Sequence, residues 1–321
     1  MSTPASELRP AQRVLLTSVA RRYYLENWSK SQIADRYGIS RFRVARLLNQ
    51  SRESGLVTIT IEDSGPIDTE LSDRLRERFG LQHAIVVDTS ATDPSELRAA
   101  LGQAAADLLS EITDAHDVLG VAWSRAISAV AGRLRELPSC PIVQLTGSLT
   151  GGDDYGDVAV DVVRLIARQG GGPAYCYFVP MIVPSADTAR DLRRQADVAR
   201  ATAMLPKVTR ALVSIGGWAP GKSTVFDALS TAERRELHRA GVRAEISGIL
   251  LDRDGRPVTS ATSDRLICPT ADQLRAIPEV IATVYGEDKT GALACAMSSG
   301  LIHGLVTHTK LAQQFLSEAG D

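Results

Sequence analysis

The sequence predicts an α/β protein: an N-terminal winged helix-turn-helix domain, then a larger α/β domain built on a mainly parallel sheet. Two observations carry this. Within residues 1–60 an Arg-rich helical stretch follows a short glycine turn. That segment holds ten Lys/Arg against four Asp/Glu, while the remainder holds 26 against 34. From residue 84 onward, short β-branched runs alternate with helical stretches, which is the pattern of strand–helix–strand units.

Composition sets the outer limits. At 321 residues, with 44% hydrophobic and 23% charged side chains, the chain suits two or three globular domains. No apolar run approaches the roughly 18 residues that span a bilayer. The opening MSTPASELRPAQR lacks the apolar centre of a secretion signal. Cys140, Cys176, Cys268 and Cys295 are scattered, without a CxxC or a Cys/His cluster. They read as buried thiols in a reducing cytoplasm, with no disulfide framework and no metal or cofactor site expected.

The first element places Leu16, Ala20, Tyr23 and Tyr24 on one helical face. Arg21 and Arg22 read as its surface. Ser29 can cap a second helix, and Gln32 stands at the capping-box distance. Ile33, Ala34 and Tyr37 form that helix's inner face. Gly38-Ile39-Ser40 then makes a tight turn in which Gly38 takes positive φ and Ser40 caps the third helix. The third helix buries Val44, Leu47 and Leu48 and shows Arg41, Arg43, Arg46 and Asn49 on its other face.

Two short helices joined by a glycine turn, the second rich in Arg, describe a helix-turn-helix. Arg can donate two bonds to guanine, and helix starts favour phosphate. Ser29, Ser40, Arg41, Arg43, Arg46 and Asn49 are therefore the candidate contacts to double-stranded operator DNA. A plain three-helix bundle with a solvated basic face is the competing reading. In LVTITIED, Val57, Ile59 and Ile61 alternate with threonines, so that stretch is expected to form a half-buried strand, the wing.

EDSGPID, 62–68, reads as a linker, which divides the chain into a DNA-binding domain, 1–62, and an effector-binding and oligomerisation domain, 63–321. TELSDRLRERF, 69–79, is a short helix. AIVVD, VLGVAW, PIVQLTG, RALVSIGG and AEISGILLD read as strands, and 95–112 is an Ala/Leu-rich helix that covers the sheet or meets another subunit. Glycine loops follow several strands: GVAWSRAI (120–127), TGSLTGG (146–152), GGWAPGKS (216–223) and YGEDKTGALACAMSSG (285–300). Loops at the carboxyl ends of parallel strands are where such sheets bind ligands, and their N–H groups suit an anion or a sugar.

The ordered series GISRFRVARLL, VLGVAWSRAI, IVQLTGS, SIGG, EISGILLDRDGRPV and KTGALACAMSSGLIHGLVT resembles the SorC-type family of sorbitol-operon regulators over about residues 13–316. That family is related to the deoxyribonucleoside and central glycolytic gene regulators. The resemblance implies an effector domain similar to sugar-phosphate isomerases and deaminases, a sugar, sugar-phosphate or sugar-acid effector, and a dimer or tetramer on DNA. It also implies effector contacts at Gly120, Trp123, Ser124 and Arg125, at Gly147 and Ser148, at Gly216 and Gly217, at Asp252 and at Lys289. Each has an ordinary alternative. Trp123 also suits packing on the sheet, Arg125 a partner subunit, Asp252 a turn, and Lys289 an ion pair with Glu287 or Asp288; His303 and His308 read as structural. The chain departs from the family pattern where Ser124-Arg125 follows the Trp, and where His308 follows Val306-Thr307 in place of an acid. An added Arg and a missing acid point to a more acidic effector.

Two enzyme readings compete. The isomerase-like fold, with Asp252 and Lys289, could serve acid–base chemistry, although no carboxylate stands out for the task. GGWAPGKS matches a nucleotide-hydrolase phosphate loop letter for letter. Against that match, Pro220 removes a donor, Trp218 crowds the loop, and the following helix is short. Lys222 is then better read as a partner for an effector's anionic group.

Overall fold

The computed structural model describes residues 8–60, 65–149 and 159–320. The chain divides into two units, Met1–Ser64 and Gly65–Asp321, each with its own core.

In the first unit, α1 (Pro10–Tyr24), α2 (Lys30–Tyr37) and α3 (Arg41–Glu53) bury Leu16, Val19, Ile33, Val44 and Leu48 between them. Pro10 opens α1, where its fixed φ costs nothing and its missing N–H is not needed. Ser29 and Gln32 close a reciprocal capping box on α2, and Gly38 ends it in the left-handed region at φ 63°, ψ 34°. Ser40 Oγ accepts from the Arg43 N–H and caps α3. Arg22 is not simple surface: its guanidinium lies 5.3 Å from the Trp28 ring and 5.4 Å from the Tyr37 ring.

The expected wing strand is absent from its described part. Leu56–Thr60 carries no strand, and Ile59 is 57% exposed. Alternation alone does not make a strand; a ladder needs a neighbouring strand, and among the described residues 56–60 pair with none, the Val57 N–H going instead to the Ser51 carbonyl at 3.0 Å. Ile61 and Glu62 lie outside the described residues.

The second unit opens with α4 (Thr69–Phe79), followed by β1 (His83–Val87), α5 (Pro94–Ile112), β2 (Leu119–Val121), α6 (Arg125–Ala131), β3 (Ile142–Gln144), α7 (Ala159–Gly170) and β4 (Ala174–Tyr175). After α8 (Ala186–Arg193) and α9 (Ala196–Thr202) come β5 (Arg210–Gly217), α10 (Thr224–Ala228), α11 (Thr231–Arg239), β6 (Ala244–Ile246) and β7 (Ile249–Leu251). The chain finishes with α12 (Ala271–Arg275), β8 (Glu279–Thr283), α13 (Thr290–Ser298), β9 (Gly304–His308) and α14 (Thr309–Glu318).

Among the described residues the sheet runs β1-β9-β8-β5-β2-β3-β4, and every neighbouring pair along that path is parallel. Its inner strands β5, β8 and β9 are largely buried on both faces, as parallel strands between helix layers are. From β2 the chain winds outward to β3 and β4, then returns to β5 on the other side of β2 and continues to β8 and β9. The order therefore reverses between β2 and β5, and the crevice at their carboxyl ends is the place such a sheet offers a ligand.

One sequence expectation changes, and one left open gains an answer. AEISGILLD is not one strand: Ser247 (φ 48°) and Gly248 (φ 96°) turn it into the antiparallel hairpin β6–β7, joined to the end of β5. Two successive positive φ values are the requirement of a tight hairpin turn. Helix α5 points its buried side, including Leu101, Ala105 and Leu109, at α6, β1 and β9, so it covers its own sheet. Gly102 lets it approach closely; a Cβ there would stand 2.8 Å from the Ala129 carbonyl oxygen.

Candidate functional site

Three loops meet at the switch point. The end of β2 brings Ser124 and Arg125, the end of β5 brings Ser214 to Gly217 and then Lys222, and the end of β8 brings Thr283, Tyr285 and Lys289. A hollow of about 390 Å3 is lined by Arg98, Arg125, Lys222, Tyr285 and Lys289 and by the acids Glu287 and Asp288. A tighter recess shares four of these residues and adds Ser124, Ser223, Thr283 and Glu245.

Cations gather round one aromatic ring. Lys289 Nζ lies 4.9 Å and Arg98 Cζ 5.7 Å from the centre of Tyr285. Lys289 is only 8% exposed, and its Nζ donates to the Ile215 carbonyl at 3.3 Å. Arg125 donates to the Gly221 carbonyl at 3.4 Å, and Lys222 pairs with Asp288. Burial pulls the Lys289 ammonium down to about 8, against the opposing pull of Glu245; Arg125 adds to the lowering. An ammonium held in so dry a place gains most from an anion that replaces its lost water.

Glu245, in β6, is 3% exposed and faces Gly216 of β5. Its carboxylate accepts from Ser223 Oγ at 3.0 Å and from the Gly248 N–H at 2.8 Å. Burial raises its pKa, with those two hydrogen bonds and Lys289 opposing. Gly216 is a glycine for this reason: a Cβ there would stand 2.2 Å from Glu245 Oε1 and 2.8 Å from Ser223 Cβ. Gly217 has ordinary room, its nearest contact being Lys222 Cβ at 3.4 Å. Thr283 Oγ1 is buried with no hydrogen-bond partner among the described residues, so the recess holds a hydroxyl ready for a ligand.

Of the sequence-derived effector residues, the structure brings Ser124, Arg125, Gly216 and Lys289 together, with Gly217 beside them. The others have different work. Gly120 lies inside β2, where a Cβ would touch Leu145 and Val208 at 3.0 Å. Gly147 is fixed by the Pro180–Met181 backbone, 2.7 Å from where its Cβ would be, and Ser148 bridges to Pro180 through its backbone. Trp123 is packed in the core, its backbone N–H donating to Thr146 Oγ1 at 3.1 Å. Asp252 accepts from the N–H groups of Asp254 and Arg256, each at 2.8 Å, so its carboxylate holds the turn after β7 and lines neither hollow. Residues 150–152 of the second glycine loop lie outside the described residues. His308 Nε2 accepts from the Gly286 N–H at 3.2 Å and His303 Nδ1 from the Val280 N–H at 3.1 Å, both structural contacts.

Sequence reasoning missed Glu245, Arg98, Tyr285 and Thr283. Glu245 left a usable signal: a charge inside an otherwise apolar run must be paired or poised for function.

The phosphate-loop match fails on its own donors. The N–H groups of Gly217, Trp218, Ala219 and Lys222 go to the carbonyls of Lys222, Arg243, Gly217 and Ala219, and that of Gly221 goes to Asp227 Oδ1. Pro220 has none to give. Trp218 is buried against Phe226, edge to face at 5.2 Å. A loop whose donors are turned inward cannot wrap a polyphosphate.

On the DNA-binding side, Arg41, Arg43 and Arg46 are exposed on α3, and Asn49 Oδ1 accepts from Arg52 at 2.8 Å.

A helix-turn-helix unit and a doubly wound α/β unit with a cationic hollow at its switch point define a ligand-responsive DNA-binding class. Residues 67–317 match the family described as "Putative sugar-binding domain", and the chain belongs to that family. It is 30% identical over 315 residues to the transcriptional regulator LsrR of Klebsiella pneumoniae subsp. pneumoniae, covering 96% of this chain and 94% of that one. It is 24% identical over 310 residues to the sorbitol operon regulator of Klebsiella pneumoniae, covering 94% of this chain and 97% of the relative. The full-length sorbitol operon regulator SorC from that organism has a similar fold, with a TM-score of 0.72 and 23% identity over 95% of this chain and 99% of that one. The mixed α/β fold and the SorC-type resemblance drawn from sequence both hold. Among the described residues no helix is long and apolar enough to cross a membrane.

Proposed function

We propose that this chain is a cytoplasmic, homo-oligomeric transcriptional regulator whose affinity for operator DNA is set by an anionic sugar derivative, a sugar phosphate or sugar acid. Residues 1–62 bind DNA and residues 63–321 bind the effector and carry the subunit contacts. One observation carries the choice of ligand: Arg98, Arg125, Lys222 and Lys289 converge on one hollow at the switch point, with a buried carboxylate and hydroxyls in the recess beside them. The cations suit the anionic group. Glu245, Ser124 and Thr283 suit sugar hydroxyls.

On this reading the site binds and does not catalyse. Glu245 is held by Ser223 and Gly248, which suits a hydrogen-bond acceptor better than a base free to move a proton. Incubation with ribose 5-phosphate or glucosamine 6-phosphate is accordingly expected to give no turnover.

A thermal-shift panel of neutral sugars, polyols, sugar phosphates and sugar acids tests the reading. A ligand at about 100 times its Kd stabilises by about 2.7 kcal/mol, so acidic members should raise Tm by several degrees and neutral ones should not. Equal response to neutral sugars, or silence across the panel, removes it.

A further inference from the structure

Phe42 is 84% exposed in the first turn of α3, between Arg41 and Arg43. The other aromatic side chains described in this unit, Tyr23, Tyr24, Trp28 and Tyr37, are all partly buried against its core. At about 100° per residue, Phe42, Arg46 and Asn49 fall within an arc of about 60°. That arc lies opposite the buried Val44, Leu47, Leu48 and Ser51. Arg41 and Arg43 stand on its two flanks.

We propose that Phe42 reads the C5-methyl group of a thymine in the major groove, at the centre of the stripe it forms with Arg46 and Asn49. The proposal rests on the regulator reading above. The surroundings decide the occupant. Arg41, Arg43 and Arg46 make no ion pair among the described residues. A face so charged fits a polyanion and repels a second copy of itself. Within a duplex, thymine alone offers a methyl group in the major groove, and a phenyl ring has no hydrogen bond with which to read anything else. The flanking arginines then fall to the phosphates on either side of the groove, and Arg46 is left as the base-reading cation.

The test uses full-length protein and a duplex that it recovers from a random-sequence pool. Each thymine is replaced in turn by uracil, which removes only the methyl. Wild type should lose roughly fourfold in affinity at one thymine per half-site, the ratio given by about 0.8 kcal/mol for a buried methyl. Phe42→Ala should bind the thymine and uracil duplexes equally there. Phe42→Leu, still apolar, should keep part of the difference. If wild type ignores every such replacement, or Phe42→Ala keeps the full loss, the proposal is wrong and the regulator reading stands. If the pool yields no bound duplex at all, the regulator reading fails and takes the proposal with it.

Discussion

Lys289 and Glu245 give the recess its chemistry, and their effect on each other can be measured. Burial brings the Lys289 ammonium down to about 8, so it loses its proton in a range where an ordinary lysine stays charged. Affinity for an acidic effector should therefore fall as pH rises from 7 to 9. Folding moves the other way: the unfolded chain holds that proton to higher pH, so stability rises across the same window and a loss of binding there is not melting. Titration calorimetry on wild type and Lys289→Met checks this. The variant should bind at least about tenfold more weakly, the cost of one charge-assisted bond, and with a flatter pH response. Lys289 was legible in the sequence because it follows a glycine loop and opens a helix. Glu245 was legible only as a charge inside an apolar run; its partner was not, since a hairpin sets it opposite Gly216. Arg98 was hidden by distance: it sits on the helix before β2 and reaches the hollow only because the sheet places β1 and β8 on either side of β9. A carboxylate ending a strand, as Asp252 does, looks the same in sequence whether it faces a ligand or its own turn, and here it bonds its own turn.

The end of β5 and the hairpin beside it show which glycines are structural requirements. Gly216 and Gly217 look alike in the sequence, yet only Gly216 lies against the buried carboxylate. Gly216→Ala should push Glu245 and Ser223 apart, cost about 1–3 kcal/mol of stability and abolish effector binding, whereas Gly217→Ala should change stability by less than about 1 kcal/mol. Chemical denaturation of both variants would show the contrast, and equal effects would contradict the placement of Glu245. Helices were the most legible elements, because their caps are local: Ser29 with Gln32, Gly38 and Ser40 act as the sequence predicts. Strands depend on partners that sequence order does not name. Leu56–Thr60 alternates well and pairs with no strand among the described residues, while AEISGILLD reads as one run and folds back on itself. The glycine-rich loop 216–223 was ambiguous by letters alone. Its inward-turned donors separate it from a nucleotide loop.

At the scale of the whole molecule, the charge division visible in the first 60 residues matches the division of labour proposed here. The helix-turn-helix unit carries the basic excess suited to a polyanion, and the acidic α/β unit brings Arg98, Arg125, Lys222 and Lys289 together at the hollow. Binding at that hollow matters to transcription only if the effector binds the DNA-competent and DNA-incompetent states unequally, since a ligand with equal affinity for both shifts nothing. The direct measurement is operator affinity by fluorescence anisotropy, with and without a saturating acidic effector taken from the thermal-shift panel, on wild type and on Lys289→Met. The account predicts a change of about 5- to 150-fold for wild type, with little change for Lys289→Met and the same basal affinity in both. Operator affinity that stays constant in wild type while the effector is bound would contradict it.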